Sequence, residues 1–252
     1  MIRALNDQNH GVIMRSDIIP AIRADLIRQV DPKIKDSAQR FFKEEVKLYG
    51  VKSAAVKKIA REYFARIKAE GKKEIFSLCE DLYRSDYIEE AFIASEWAYM
   101  LRKRFEPSDF YLFEKWIGNY INNWAKCDTF CNHTMGFFVE QYPEYVKNLK
   151  EWTKSENRWL RRASMVTFIL PARKGLFFKE VLEISDMLMG DEDDLVRKGQ
   201  GWVLKEASKS HQYEVFRYIM DNKKAMSRTA LRYAIERMPQ DMRRTAMEKK
   251  DI

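Results

Sequence analysis

The chain has 252 residues, 46% hydrophobic and 33% charged, a composition that excludes a disordered tail and suits a folded globular protein with a sizeable core. No run of about 18 to 20 apolar residues occurs, which excludes a membrane-spanning helix. The three cysteines, Cys79, Cys127 and Cys131, are too few and odd in number for a disulfide framework, so a soluble protein of a reducing cytoplasm is expected. The net charge of +8 is regional, with 23 basic against 17 acidic residues from Gln141 onward and 23 against 21 before it. Nucleic acid is the commonest reason for such a surplus, because each cation placed on a phosphate releases counterions, although a mildly basic protein without such a partner shows the same balance.

With only 9 glycines and 6 prolines, the chain carries few turn signals and long stretches of helical periodicity. Ser16 to Val30 places Ile18, Ile22, Leu26 and Ile27 on one face behind a cap at Ser16 and Asp17. The next segment opens on Pro32 and closes on Gly50, which predicts one helix between them. The same pattern repeats in KSAAVKKIAREYFARIKAEG, KKEIFSLCEDLYRS, DYIEEAFIASEWAYMLRKRF, EPSDFYLFEKWIGNYI, NRWLRRASMVTFILPARKG, FFKEVLEISDMLMG, EDDLVRKGQGWVLKEASKS, HQYEVFRYIMDN and SRTALRYAIERMP. No alternation defends a strand. Roughly a dozen helices with short connections predict an all-α protein, a short α-solenoid of HEAT-like helical pairs whose repeats run about 35 to 45 residues, forming one domain over residues 1–252. A plain multi-helix globule is the competing architecture. A solenoid offers a concave face to a long ligand.

The stretch NNWAKCDTFCNHTMG, Asn122 to Gly136, concentrates residues with chemical potential. Cys127 and Cys131 share a helix face, but His133 points elsewhere and no second cluster supplies a fourth ligand, so no metal is expected. The cysteines read as core packing and His133 as a satisfied histidine at a helix end. Trp124 and Asp128, four residues apart, lie side by side on one face. Spacing alone leaves open a surface acid beside a core tryptophan; if the face is desolvated, Asp128 needs a cationic partner to stay ionised.

Two later segments bear on that choice: NRWLRRASMVTFILPARKG, with Trp159, Arg161 and Arg162, and DDLVRKGQGWVLKEASK, with Arg197, Lys198 and Trp202. Taken in order with the Trp124–Asp128 segment, with LYGVKSAAVKKIARE (Leu48 to Glu62) and with SRTALRYAIERM, they resemble the DNA alkylation repair family of HEAT-like DNA glycosylases, the AlkD-like alkylpurine glycosylases. The resemblance covers residues 35 to 240 and implies a monomer that works on double-stranded DNA containing alkylated purines, without a cofactor. It implies that Asp128 is the catalytic acid, that Trp124 and Trp202 are aromatic walls, and that Arg162 is the positioned cation. Arg161 is equally able to be the inward member of the pair, since neighbouring helix positions differ by about 100° in direction. Phe41 or Phe42 stands where the family has an aromatic residue, without the hydroxyl found in some relatives. Arg161, Arg162, Arg173, Lys174, Arg197, Lys198 and Arg228 are the candidates for holding phosphates. The resemblance also implies that the lesion stays stacked in the duplex, unlike the extruded base of most glycosylases. The alternative is a HEAT-like nucleic-acid or protein scaffold that keeps the fold without the chemistry.

Overall fold

A computed structural model describes residues 15–248, and among them every regular element is helical. In chain order the α-helices are α1 (Arg15–Ile27), α2 (Pro32–Gln39), α3 (Ser53–Ile67), α4 (Lys72–Arg84), α5 (Ile88–Met100), α6 (Asp109–Tyr120), α7 (Trp124–Phe130) and α8 (Gly136–Gln141). They continue as α9 (Val146–Trp152), α10 (Arg158–Val166), α11 (Ile169–Arg173), α12 (Phe178–Met187), α13 (Asp194–Ala207), α14 (Gln212–Asn222), α15 (Arg228–Ala234) and α16 (Gln240–Met247). No helix among the described residues is long and apolar enough to cross a membrane.

The repeat is visible in the starts of α3, α5, α7, α10, α13 and α15, which fall 34 to 36 residues apart. Each of these first helices packs on the next one, and the second helices form their own contacts, α4 on α6, α9 on α12 and α14 on α16. Stacked helical pairs of this kind bury a continuous core because no pair can cover its apolar face alone. The buried side chains form one such cluster, with Phe110, Phe113, Trp116, Phe130 and Phe138 all fully buried at its centre.

Local chemistry sets the register. Asn123, Asn157, Asp193 and Ser227 immediately precede α7, α10, α13 and α15, and each side chain accepts a hydrogen bond from an amide of the first turn. Such caps satisfy donors that a helix start leaves free. At the other extreme of scale, α13 approaches α15 so closely that a β-carbon on Gly201 would lie 2.4 Å from Tyr233 Cβ and 2.5 Å from the Ala230 carbonyl oxygen.

Two expectations change. The helix predicted from Pro32 to Gly50 stops at Gln39, because the Glu89 carboxylate on α5 accepts from the amides of Tyr49, Gly50 and Val51 at 3.0, 2.8 and 3.2 Å. A carboxylate that takes three backbone donors draws the segment out of the helix into a strap, residues 40–52, that begins in a turn, and Gly50 turns it again at φ 91°. On α1 the apolar stripe is Ile18, Ile19, Ile22 and Leu26, while Ile27 is 60% exposed. The Ser16 side chain of the expected cap lies outside those described.

Replacing Gly201 by alanine is expected to cost about 1–3 kcal/mol of unfolding free energy through overpacking. Gly118→Ala, on α6 where nothing lies within 4 Å, is expected to be stabilising by about 0.5–1 kcal/mol. Urea denaturation of both variants reads the two signs.

Candidate active site

The repeat register creates the central contact. Asp128 is the fifth residue of α7 and Arg162 the fifth residue of α10, so two repeats set side by side bring them face to face. Arg162 Nε donates to Asp128 Oδ1 at 2.9 Å and Nη2 donates to Oδ2 at 2.8 Å, a bidentate fit of guanidinium to carboxylate. The remaining terminal nitrogen, Nη1, donates to the Leu195 carbonyl at the start of α13. Gly199 on α13 leaves room beside the guanidinium, its β-position lying 3.5 Å from Arg162 Nη1.

Arg162 is buried and the Asp128 side chain is 14% exposed. Burial pushes the Asp128 carboxyl above its ordinary value, and the Arg162 charge and hydrogen bonds draw it back. Burial likewise opposes the charge on Arg162, and Asp128 outweighs that opposition and raises it. The Asp128 carboxyl remains above its ordinary value on balance, with the Arg162 guanidinium opposing its protonation where hydration is largely lost.

Arg161 is turned away. Its Nε donates to Asp191 at 2.7 Å and its Nη1 to the carbonyls of Ser155 and Glu156, which leaves Arg162 as the inward member of the pair.

Trp124 heads α7, one turn before Asp128. Its ring stacks on Phe42 of the strap with centroids 5.2 Å apart and planes 21° from parallel, and its indole N–H donates to the Phe41 carbonyl at 3.4 Å. Phe42 is therefore the aromatic neighbour, while the Phe41 ring is 72% exposed. A cavity of about 330 Å³ opens beside Asp128, walled by Lys57, Phe92, Glu96, Thr129, Asn132 and His133 among others. An apolar cavity of about 410 Å³ adjoins it through Ser53, Val56 and Phe92, with Phe41, Phe42 and Trp124 in its wall. Trp202, half-buried one turn beyond Lys198 on α13, lines neither cavity.

Cys127 and Cys131 are fully buried, and burial pushes the Cys131 thiol well up, which suits packing and not metal ligation or nucleophilic attack. His133 is not at a helix end. It lies in a π-turn, Cys131–Met135, inside a continuous helix from Trp124 to Gln141, exposed and 5.4 Å from the Tyr99 ring. Among the described residues no group of three His, Cys, Asp or Glu side chains is placed to hold a metal ion.

The sequence pattern of the DNA alkylation repair enzyme family matches residues 22–238. The chain belongs to this family. Among solved structures, a predicted DNA alkylation repair enzyme from Enterococcus faecalis superposes with a TM-score of 0.75 at 15% identity, over 84% of this chain and 98% of that one. The Pseudomonas fluorescens alkylpurine DNA glycosylase AlkC, bound to DNA containing an abasic site analog, gives a TM-score of 0.49 at 15% identity, over 94% of this chain and 66% of that one. No curated protein matches significantly. The likeness to the Enterococcus protein establishes the helical-repeat fold.

Most of the cations expected to hold phosphates in this alkylation repair family member are already engaged. Arg173 pairs with Glu206 at 2.8 Å, Lys174 with Glu140 at 2.7 Å and Lys198 with Asp194 at 2.9 Å, while Arg197 Nε donates to the Asp191 carbonyl at 2.5 Å. Arg228 is exposed with no ion pair among the described residues. The Lys174–Glu140 pair, on the surface, is weak and exchanges readily for another anion, whereas Glu206 is buried and keeps Lys209 as a partner when Arg173 leaves it. Sequence reasoning passed over Arg158, which heads α10 as Trp124 heads α7. It pairs with Asp193 at 2.8 Å, reaches Glu44 of the strap at 3.7 Å and lies 5.2 Å from the Trp159 ring centroid. The spacing of the repeat starts was the signal for it.

Replacing Arg162 with methionine is expected to destabilise the fold by about 3–5 kcal/mol at neutral pH, because an uncompensated charge stays buried. Without the guanidinium the folded-state value of Asp128 rises further above its unfolded one. The variant therefore recovers stability as pH falls and Asp128 protonates, and loses it as pH rises through that raised value. Urea titrations of wild type and variant from about pH 4 to 8 measure the convergence.

Proposed function

We propose that the protein is a monofunctional DNA glycosylase that hydrolyses the N-glycosidic bond of cationic N3- or N7-alkylated purines in double-stranded DNA. The observation that carries the reading is the Asp128 carboxylate, held ionised by Arg162 beside a cavity and one turn from the Trp124 ring. Alkylation at these nitrogens leaves the base positively charged, so it departs as a neutral molecule and needs little acid catalysis. What remains is to stabilise the oxocarbenium-like sugar and to place a water, and an ionised carboxylate at the sugar serves both needs. The electron-rich face of Trp124 adds attraction for developing positive charge, and Phe42 fixes the plane of that ring. Trp202, outside both cavities and one turn beyond Lys198 on α13, is assigned as an aromatic surface that bound DNA meets across the stack.

Arg162 spends its donors on Asp128 and Leu195, so it acts here as the residue that positions the acid and not as a phosphate ligand. Phosphate contacts are assigned to Arg228, and to Arg173, Lys174, Arg197 and Lys198 as their present partners exchange for DNA. Arg161 contributes charge from outside the site. The surplus of basic residues after Gln141 supports a polyanionic ligand.

Release of N7-methylguanine and N3-methyladenine from methylated duplex DNA tests the reading. Asp128→Asn is expected to reduce release at least about 100-fold while leaving DNA affinity intact, since a preorganised charge is lost and the surface is not. Robust excision by that variant overturns the mechanism, and binding without release by the wild type turns the choice to a non-catalytic DNA-binding module. Activity of the wild type is expected to fall as pH drops through the raised Asp128 value. DNA affinity is expected to fall steeply with salt.

A further inference from the structure

Asn132 stands one helical turn beyond Asp128, in the π-turn, and lines the same cavity. Its side-chain oxygen is buried with no hydrogen-bond partner, and neither end of its amide is bonded by any described residue. Buried amides are almost always paired, because an unpaired one forfeits its hydration without replacement. An orphaned amide next to an ionised carboxylate therefore points to something that both groups bind. Its setting agrees. A π-turn redirects side chains around a helix at a cost in backbone hydrogen bonding and is concentrated at functional positions.

The repeat register adds an independent argument. Phe92, Asp128, Arg162 and Lys198 are the fifth residues of α5, α7, α10 and α13, and Glu96, Asn132 and Trp202 each stand four residues further along, Asn132 in the π-turn that follows α7. The two rows run side by side, one turn apart. A nucleotide seated on the acid is thus also presented to Asn132.

We infer that the Asn132 amide holds the water that attacks the sugar, an assignment that rests on the glycosylase reading. The water oxygen forms its bond to C1′ as the C1′–N bond breaks. The electron pair of the broken bond neutralises the cationic base, and no oxidant or metal is consumed. One water proton passes to the Asp128 carboxylate, and the other is held in a hydrogen bond accepted by Asn132 Oδ1 as the amide turns from its buried position toward the cavity. Two fixed acceptors orient the lone pair of the water at C1′, which one acceptor alone leaves free to turn.

Single-turnover release of N7-methylguanine, with DNA affinity measured on a duplex carrying an abasic-site analogue, tests the assignment in Asn132→Ala and Asn132→Leu. Expected is a loss of rate on the order of 100-fold with affinity unchanged. Asn132→Leu is also expected to unfold at the same or a higher temperature, since an unsatisfied polar group is replaced by an apolar one. With methanol added to the reaction, the variants are expected to form more 1′-O-methyl abasic site relative to the hydrolysed abasic site than the wild type does, a partition that a packing role would not move. Wild-type rates and partition in both variants overturn the assignment while leaving the glycosylase reading intact. So does a rate loss that only follows a loss of folding or affinity. A wild-type protein that releases no base overturns the glycosylase reading and this assignment together, and is told apart by the wild-type assay alone.

Discussion

The contact between the Arg162 guanidinium and the Asp128 carboxylate is where the repeats of this protein are tied to its chemistry. The carboxylate comes from α7, the guanidinium from α10 and the carbonyl that takes the third donor from the start of α13. A buried pair of this kind contributes little net stability, because two charges give up hydration to make it and an apolar replacement often does as well. Its presence is better explained by its effect on the acid. Burial alone would favour the protonated carboxyl, and the fixed guanidinium keeps the ionised form in a place where water is largely excluded.

The surrounding structure serves that placement. Caps at Asn123, Asn157 and Asp193 start the three first helices in register, so that side chains one turn in meet across the stack. The two glycines of the RKGQGW segment have different tasks, Gly199 beside Arg162 and Gly201 against α15. On the other side, the buried acids of α5 hold the strap. Glu89 takes its backbone donors, and Glu90 accepts from the Tyr49 hydroxyl at 2.6 Å and from Arg23 Nη2 at 3.0 Å. That anchoring brings Phe42 onto Trp124 and encloses the apolar cavity next to the acid.

Much of the fold was legible in the sequence because helices are local. Periodicity, caps and terminal glycines act within a few residues, and the segments read as helices from Lys52 to Asn222 correspond to helices here with shifted ends, the one from Asn157 to Gly175 divided into α10 and α11. The exception, Pro32 to Gly50, failed for a non-local reason, since the competitor for its amides was Glu89, some forty residues away. The candidate site was legible only in part. Trp124, Asp128, Arg162 and Trp202 stood out through resemblance to a family, and nothing in their spacing distinguished Arg161 from Arg162. Asn132 gave no signal at all, because an unpaired amide is defined by what surrounds it.

By itself the sequence determined an all-helical chain, a regional excess of positive charge, and an acid one turn behind a tryptophan on one helix face. Those properties follow from bonds and caps between near neighbours. The tertiary structure alone decided that Asp128 meets Arg162 and not Arg161, that Phe42 and not Phe41 covers Trp124, and that Cys127 and Cys131 close into the core. Each of these depends on which face of one helix is turned toward the next, a matter settled by the packing of repeats 34 to 36 residues apart and not by the chain on either side.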